Sequence, residues 1–410
     1  MSVVSPLREF VVDREYSIVD VTIVMPCLNE SISLPHCIDN AKDALARLER
    51  DHGLTGEILI ADNGSTDGSQ ALAEELGARV VPIAERGYGA ALIGGCEAAA
   101  GRYVLMGDAD GSYDFTDGVA MVSALLNGAD LCMGSRFSGG IEPGAMPWKN
   151  RYIGNPVLTG ILNLFFSSGV SDAHCGLRAI TREAFTSLRL SGTGMEFASE
   201  MVIKASLKKL HVVEVPAKLL KDLRDREPHL RPWRDGWRHL RYLLMLSPEW
   251  VFALPGSMAS LIGMAILAMA ISQAIVPGSF PAVGNYWVIL GSMLLTSGYL
   301  ALILGLSAQL FGAQQGYRLM ASHSRKVIGH LSLERLLGLG ALLAGSGLLI
   351  LIGVLWQWNE RQFGRIDSIL PAMLGATLVM LGLQTVMGGF LLAILGGNIA
   401  SFREFSHRIR

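Results

Sequence analysis

The chain has 410 residues, of which 50% are hydrophobic and 17% charged, against roughly 25% charged in soluble domains. Net charge is −2 and mean hydropathy +0.39. These values exclude a disordered chain, which needs low hydrophobicity and high net charge, and give no bulk basic field for nucleic acid.

Residues 1–19 read as a polar lead-in. Apolar runs then alternate with helical patterns: a strand at Val21–Met25, a helix near Leu34–Arg50, a strand at Glu57–Ala61, a helix near Ser69–Leu76, a strand at Arg79–Ile83, a helix near Gly89–Ala100, a strand at Tyr103–Gly107. Such βαβα alternation predicts an α/β, Rossmann-like, mostly parallel sheet with helices on its faces. Ligands of such sheets bind outside the carboxyl ends of the strands. That singles out three loops, Pro26–Glu30, Asp62–Asp67 and Asp108–Asp114.

Beyond the sheet, Lys221–Arg241 carries Arg224, Arg226, His229, Arg231, Arg234 and Arg238, with Trp233, Trp237, Leu240 and Leu244 at helical spacing. This predicts an amphipathic helix with basic residues at head-group level. Next come charge-free runs, Trp250–Tyr317, Leu336–Asn359 and Ser368–Phe402. A bilayer core needs about 20 apolar residues per helix, so the runs hold four spans, near 251–276, 286–311, 334–356 and 369–397. The expected organisation is an α/β domain at 1–230, an interface helix at 231–250 and a four-helix transmembrane domain at 251–410.

Orientation follows the Lys and Arg of short loops. Arg231, Arg234, Arg238 and Arg241 precede the first span. Arg318, Arg325, Lys326 and Arg335 separate the second and third, and Arg403, Arg408 and Arg410 end the chain. Both termini and the catalytic domain are therefore expected in the cytoplasm. No short apolar core follows the N-terminus, so no signal peptide is expected. The five cysteines, Cys27, Cys37, Cys96, Cys132 and Cys175, form no CxxC pair, which argues against a disulfide framework or structural zinc.

Asp108 and Asp110 stand at i and i+2 in a loop and can meet one hard cation, Mg²⁺ or Mn²⁺, whose sphere is completed by water and substrate phosphates. Acidic turns are common, but three polar loops on successive strands point further, to an enzyme handling a nucleoside diphosphate. In order, VTIVMPCLNE, ADNGSTDGS, GYGAALIGG, GDADG, GSRF and HCGLRAI resemble a family 2 glycosyltransferase of the GT-A fold, and more narrowly the polyprenyl-phosphate sugar synthases. The resemblance spans about residues 20–240; the membrane half matches in kind only.

That resemblance implies roles. Pro26, Leu28 and Glu30 would line the base and ribose pocket, with Asp62 on the base and Asp108 and Asp110 holding Mg²⁺ or Mn²⁺ against the diphosphate. Relatives often carry Gln two residues after the second Asp; Ser112 stands there, so the third ligand stays open. Arg136 and Arg151 match phosphate-contacting positions, Asp172 falls on the acceptor side, and Glu196 lies where the family has an acid near the sugar. The segment holding Arg226 and Arg231 corresponds to a basic stretch that closes over the diphosphate in relatives. Glu200, at i+4 from Glu196, is as readily a solvated helix residue.

The glycine run fits neither a dinucleotide fingerprint, whose last Gly is replaced by Leu92, nor a P-loop. Gly87 and Gly89 are expected to let the backbone pass near the nucleotide, with Arg86 beside them either on a phosphate or in solvent. His174 and His229 lack partners at metal-ligand spacing. A lipid monophosphate is already anionic near pH 7, so cations that gather two phosphates matter more than a base, and Arg136, Arg151 and Arg178 suit that task.

The expected reaction is inverting, metal-dependent transfer of a glucose- or mannose-type hexose from a UDP- or GDP-sugar to polyprenyl phosphate, at the lipid bilayer. Catalysis would rest on Asp110, Asp172 and Arg136. Two alternatives compete. A processive polysaccharide or glycolipid synthase would carry Gln-x-x-Arg-Trp, which is missing near Leu230–Arg234. A catalytically lost scaffold or lipid flippase would not need the intact acid pair. Related membrane enzymes include tetramers, so a homo-oligomer stays open.

Overall fold

The central strand β1 (Val21–Cys27) is nearly all buried, as a strand covered on both faces must be. In this computed structural model, residues 19–224, 232–278, 283–315, 332–364 and 368–396 are described. The chain divides into two compact units, Met1–Leu240 and Arg241–Arg410.

In the first unit, α1 (Leu34–His52) begins with proline in its first turn and ends on Gly53, whose φ of 65° gives the left-handed cap. Its buried residues Leu34, Cys37, Ile38, Ala41, Ala44 and Leu48 follow a three-to-four spacing and cover the sheet. Then come β2 (Gly56–Asp62), α2 (Ser69–Glu75), β3 (Arg79–Pro82), α3 (Tyr88–Ala98) and β4 (Tyr103–Met106). Each predicted element of this half is present, with ends shifted by one or two residues. The second half comprises α4 (Gly118–Leu126), β5 (Leu131–Ser135), α5 (Arg136–Gly139), α6 (Asn155–Phe166), β6 (Arg178–Thr181), α7 (Arg182–Leu188), α8 (Phe197–Leu207) and β7 (Val212–Pro216). The unit boundary falls within the next helix, α9 (Pro232–Met245).

The seven strands lie in the order β3-β2-β1-β4-β6-β5-β7. β6 runs antiparallel to both neighbours and all other pairs are parallel. Its four residues were not legible as a strand: a run this short, without alternation, carries too little periodic signal. All five cysteines are buried thiols, and burial pushes Cys27 and Cys175 up to about 11 and Cys37 and Cys132 up to about 12.

The second unit holds α10 (Leu254–Ile275), α11 (Asn285–Gln314), α12 (Leu333–Glu360) and α13 (Leu370–Leu395). Their apolar stretches, the first reaching back to Glu249, have mean hydropathies of 1.9 to 2.3, so four helices are long and apolar enough to cross a bilayer. Glycines seven residues apart seat each hairpin. A side chain at Gly263 would meet the Gly291 carbonyl at 2.5 Å, and one at Gly298 the Gly256 carbonyl at 2.5 Å. On the other hairpin, Gly347 faces the Gly375 carbonyl at 2.5 Å and Gly382 the Gly340 carbonyl at 2.6 Å. In lipid, where no hydrophobic force drives helices together, this close backbone approach supplies the contact. The Tyr299 hydroxyl, 2.8 Å from Thr385 Oγ1, links the hairpins. Gly347→Leu is expected to destabilise α12–α13 by about 2 kcal/mol through overpacking. Gly338→Leu, where an added Cβ meets nothing within 4 Å, should be near neutral. Thermal unfolding in detergent compares the two.

Candidate functional site

Strand register brings the three loops together. β1 pairs Cys27 with Asp62 of β2, and Val24 with Met106 of β4, so all three chains leave the sheet at one edge. Side chains then stitch the loops to each other. Asn29, at φ 59°, donates its N–H to Ser65 Oγ (2.9 Å) and accepts from Thr66 N–H at Oδ1 (2.8 Å). Glu30 N–H donates to Ser69 Oγ (3.0 Å), and Ser33 Oγ donates to the Ala109 carbonyl (2.7 Å). Above them opens a cleft of about 900 Å³.

Pro26, Leu28, Glu30, Gly87, Asp108, Asp110, Ser112 and Arg136 all line that cleft. Asp108 lies beside Tyr88, and burial, with the charge of Asp110 next, pushes its carboxyl up to about 6. Asp110 accepts the Ser112 N–H at 3.0 Å and pairs closely with Arg224. Arg224 also lies 3.4 Å from Glu30 and 3.6 Å from Asp222. Its position is set by backbone bonds: Leu220 N–H donates to the Ser112 carbonyl and Leu223 N–H to the Asp110 carbonyl, both at 2.9 Å. Among the described residues no group of three His, Cys, Asp or Glu side chains could hold a metal. Asp108 and Asp110 do offer the cleft two carboxylates, the donor type of a hard cation that draws its other oxygens from substrate and water. Ser112 donates its N–H to Asp110 and accepts the Leu220 N–H at its carbonyl, and its hydroxyl and the second lone pair of that carbonyl are the oxygen donors it offers a cation.

Arg136 opens α5 at the end of β5. It grips Asp172 in a bidentate pair, Nε to Oδ2 at 2.6 Å and Nη2 to Oδ1 at 2.7 Å, while its own N–H donates to Oδ2 at 3.1 Å. Asp172 is fully buried and lies outside the cleft lining. Its reading as an acceptor contact is corrected: it orients Arg136 and the backbone of His174, whose N–H donates to Oδ1 at 3.3 Å.

Several further expectations change. Arg178, flanked in the sheet by Met106 and Met133, spends its guanidinium on the carbonyls of Cys175, Ala198 and Ala173 at 2.7 to 3.1 Å. It is 2% exposed and braces backbone instead of gathering phosphate. Asp62 does not line the cleft; its carboxylate accepts the Gly64 and Ser65 N–H groups and Gln70 Nε2, closing the loop as an Asx turn. Glu196 Oε1 accepts the Gly194 N–H at 3.1 Å, and the side chain stands outside the cleft. Glu200 is no solvated residue: fully buried, it holds Ser191 and Gly192 N–H groups and pairs with Lys204. Gly87 (φ 139°) and Gly89 admit loop 192–194, since a Cβ on them would meet the Thr193 and Gly192 carbonyls at 2.1 Å. Arg86 lines the cleft. Arg226, His229 and Arg231 lie outside the described residues.

Arg151 lies outside the cleft lining, in the wide turn Asn150–Gly154, its guanidinium 5.5 Å above the Tyr152 ring. This turn and α6 carry a feature the sequence did not reveal. Asn150, Gly154, Asn155 and Leu158 face the cleft, while Trp148, Tyr152, Ile153, Val157 and Leu164 are exposed, with Lys149 over the Trp148 ring. Also missed were Tyr88 and His239. His239 is buried on α9 with Gly236 in the cleft wall; its signal was a histidine among residues 236, 240 and 243 of one helical face.

A mostly parallel sheet with an acid-bearing cleft at its carboxyl edge defines a GT-A glycosyltransferase domain, here followed by apolar helices. The family model described as "Glycosyl transferase family 2" matches residues 22–189, and "Glycosyltransferase family 2 C-terminal transmembrane region" matches 306–396. The low-salt glycan biosynthesis hexosyltransferase Agl6 of Haloferax volcanii is 36% identical over 92% of this chain and 89% of its own. The polyprenol monophosphomannose synthase of Mycolicibacterium smegmatis is 30% identical over 47% of this chain and 75% of its own. A solved glucosyl-3-phosphoglycerate synthase of Mycobacterium tuberculosis is similar at 22% identity and a TM-score of 0.41, over 55% of this chain and 78% of that one. This chain belongs to glycosyltransferase family 2. It is a glycosyltransferase and an integral membrane protein.

Gly176 tests how the acid pair is held. A Cβ there would meet Asp108 Oδ2 at 2.6 Å and the Tyr113 ring at 2.9 Å. Gly176→Ala is expected to displace the carboxylate and lower turnover about a hundredfold, the effect of a 1 Å misplacement, with little change in unfolding temperature. Steady-state kinetics beside a thermal melt measure both.

Proposed function

We propose that this enzyme transfers a hexose from a UDP- or GDP-sugar to polyprenyl phosphate, with inversion at the anomeric carbon and with Mg²⁺ or Mn²⁺. One observation carries the reading: a single cleft joins the acid-bearing loops to a wall built from α6 and α9, and the far side of the α6 segment exposes aromatic and aliphatic side chains beside Lys149 and Arg151. Such a surface suits the head-group region of a bilayer, and a cleft opening beside it suits an acceptor whose phosphate stays at the membrane. The names of the relatives, a hexosyltransferase and a polyprenol monophosphomannose synthase, support the same chemistry. Residues 1–230 would carry catalysis, 231–250 the interface and 251–410 the anchor, with the catalytic domain and both termini cytoplasmic.

Pro26, Leu28 and Glu30 line the end of the cleft suited to the nucleoside, and Asp62 shapes the loop behind them. Asp108 and Asp110 would hold the cation, with Ser112 beside them; when bound, it neutralises charge developing on the leaving diphosphate. Arg224, paired with Asp110, supplies positive charge at the same place, and Arg86 lines the same cleft. Arg136, fixed on Asp172, offers the acceptor phosphate a rigid guanidinium, since both partners of the pair are buried. Glu196 is left as a sugar-side residue that acts through the loop it holds, and Arg151 as a cation for lipid head groups.

Asp110→Asn is expected to reduce transfer at least about a hundredfold, as loss of a strong charge stabiliser does. Purified enzyme, a panel of nucleotide sugars and a short polyprenyl phosphate, read by extraction of labelled lipid, measure it; full turnover in excess EDTA would sink the metal reading. Orientation has its own check. With Val276→Cys, an impermeant thiol reagent should label intact cells, and with Gln315→Cys it should not; the reverse pattern overturns the assignment.

A further inference from the structure

The buried Ser199 and His239 and the partly buried His174 form a polar group in the wall of the cleft. His174 precedes β6, Ser199 lies on α8 and His239 on α9. Ser199 Oγ is 3.2 Å from His174 Nε2 and 2.8 Å from His239 Nδ1. The two rings meet edge to face with centroids 4.7 Å apart. One hydroxyl has one proton, so it donates to one ring and accepts from the other. His174 Nδ1 is buried and has no hydrogen-bond partner among the described residues. Both histidines line the cleft, as does Arg136. The link to Arg136 runs through Asp172, whose Oδ1 accepts both from Arg136 Nη2 and from the His174 backbone N–H.

We propose that His174 binds the acceptor phosphate, its Nδ1–H donating to a phosphate oxygen, and that Ser199 and His239 are positioning residues that fix this tautomer. The assignment rests on the reading of the acceptor as a lipid phosphate. In it, Ser199 donates its proton to His174 Nε2 and accepts from His239 Nδ1–H. His174 then carries its single proton on Nδ1. A dianionic phosphate offers only acceptor lone pairs and requires donors. The environment keeps the ring uncharged: burial, then His239, Arg136 and Arg178, hold His174 well below the usual histidine range. A neutral donor next to Arg136 orients the phosphate without adding charge that would hold back the attacking oxygen.

Amide side chains separate the two ring nitrogens. In His174→Gln the amide reaches the Nε2 position, keeping the bond to Ser199 and losing the group at Nδ1. In His174→Asn the amide occupies the Nδ1 position and loses Ser199. Loss of one such hydrogen bond is expected to raise the KM for polyprenyl phosphate about tenfold in His174→Gln, and less in His174→Asn. His239→Leu should raise it about threefold, and His239→Asn, which keeps a group at the Nδ1 position, should restore it. Nucleotide affinity by calorimetry should stay within about twofold of wild type in all four, which also reports that each is folded. Ser199→Ala, acting from outside both rings, should match His239→Leu. An unchanged acceptor KM in His174→Gln overturns the assignment, and so do acceptor and donor constants that rise together with a falling unfolding temperature. Wild-type enzyme that used polyprenol as readily as polyprenyl phosphate would instead overturn the acceptor reading beneath it.

Discussion

Two carboxylates with little water around them repel one another, and the catalytic unit is arranged around that cost. Asp108 is pushed up to about 6 by burial and by Asp110, where an exposed aspartate sits near 4. The surrounding groups make the pair tolerable. Tyr88 lies beside Asp108, Ser112 N–H and Arg224 meet Asp110, and Gly176 leaves the space that Asp108 fills. The divalent cation proposed for this site would relieve the acids, and an anionic substrate would supply the oxygens that two protein ligands lack.

The rest of the cleft follows the same logic of fixed, not mobile, charge. Arg136 does not sweep through solvent; Asp172 holds it on two nitrogens while also setting the backbone of His174. Glu200, Arg178 and Asp62 spend their charge on backbone groups, which holds the segments around the cleft in place. Preorganisation of this kind is what electrostatic catalysis requires, because dipoles already in place need no reorganisation when charge develops. In the membrane unit the corresponding economy is steric: glycines at heptad spacing bring backbones into contact where lipid gives no hydrophobic drive.

Local chemistry made much of this legible in the one-dimensional text. Proline in the first turn of α1 and glycine after its last, the apolar runs of β1, β2 and β4, and four long charge-free stretches each state their structure without reference to a neighbour. So does the position of the acid pair at a strand end, since a βα alternation fixes which edge of the sheet is chemical. The resemblance of the motifs placed the chain in its family, and the match over residues 22–189 agrees.

Partners across long separations were a different matter. Arg136, Arg178 and Arg151 look alike as text, yet one is locked on a carboxylate, one on three carbonyls and one over a tyrosine ring. Which of these an arginine does depends on what the fold lays beside it, from 36 residues away for Asp172 and 20 for Ala198. Glycines 87 and 89 were readable as sites of close approach, but not the Thr193 and Gly192 carbonyls that approach them. The same holds for His239, which the helical pattern places on a face and only packing places against Ser199. The sequence by itself determined the elements from β1 to β4, the edge that carries the acid pair and the four apolar helices, because these depend on periodicity and on residues close in the chain. The tertiary structure alone decided which charges face the cleft and which are consumed holding backbone, because a buried charge takes its role from the nearest group able to compensate it.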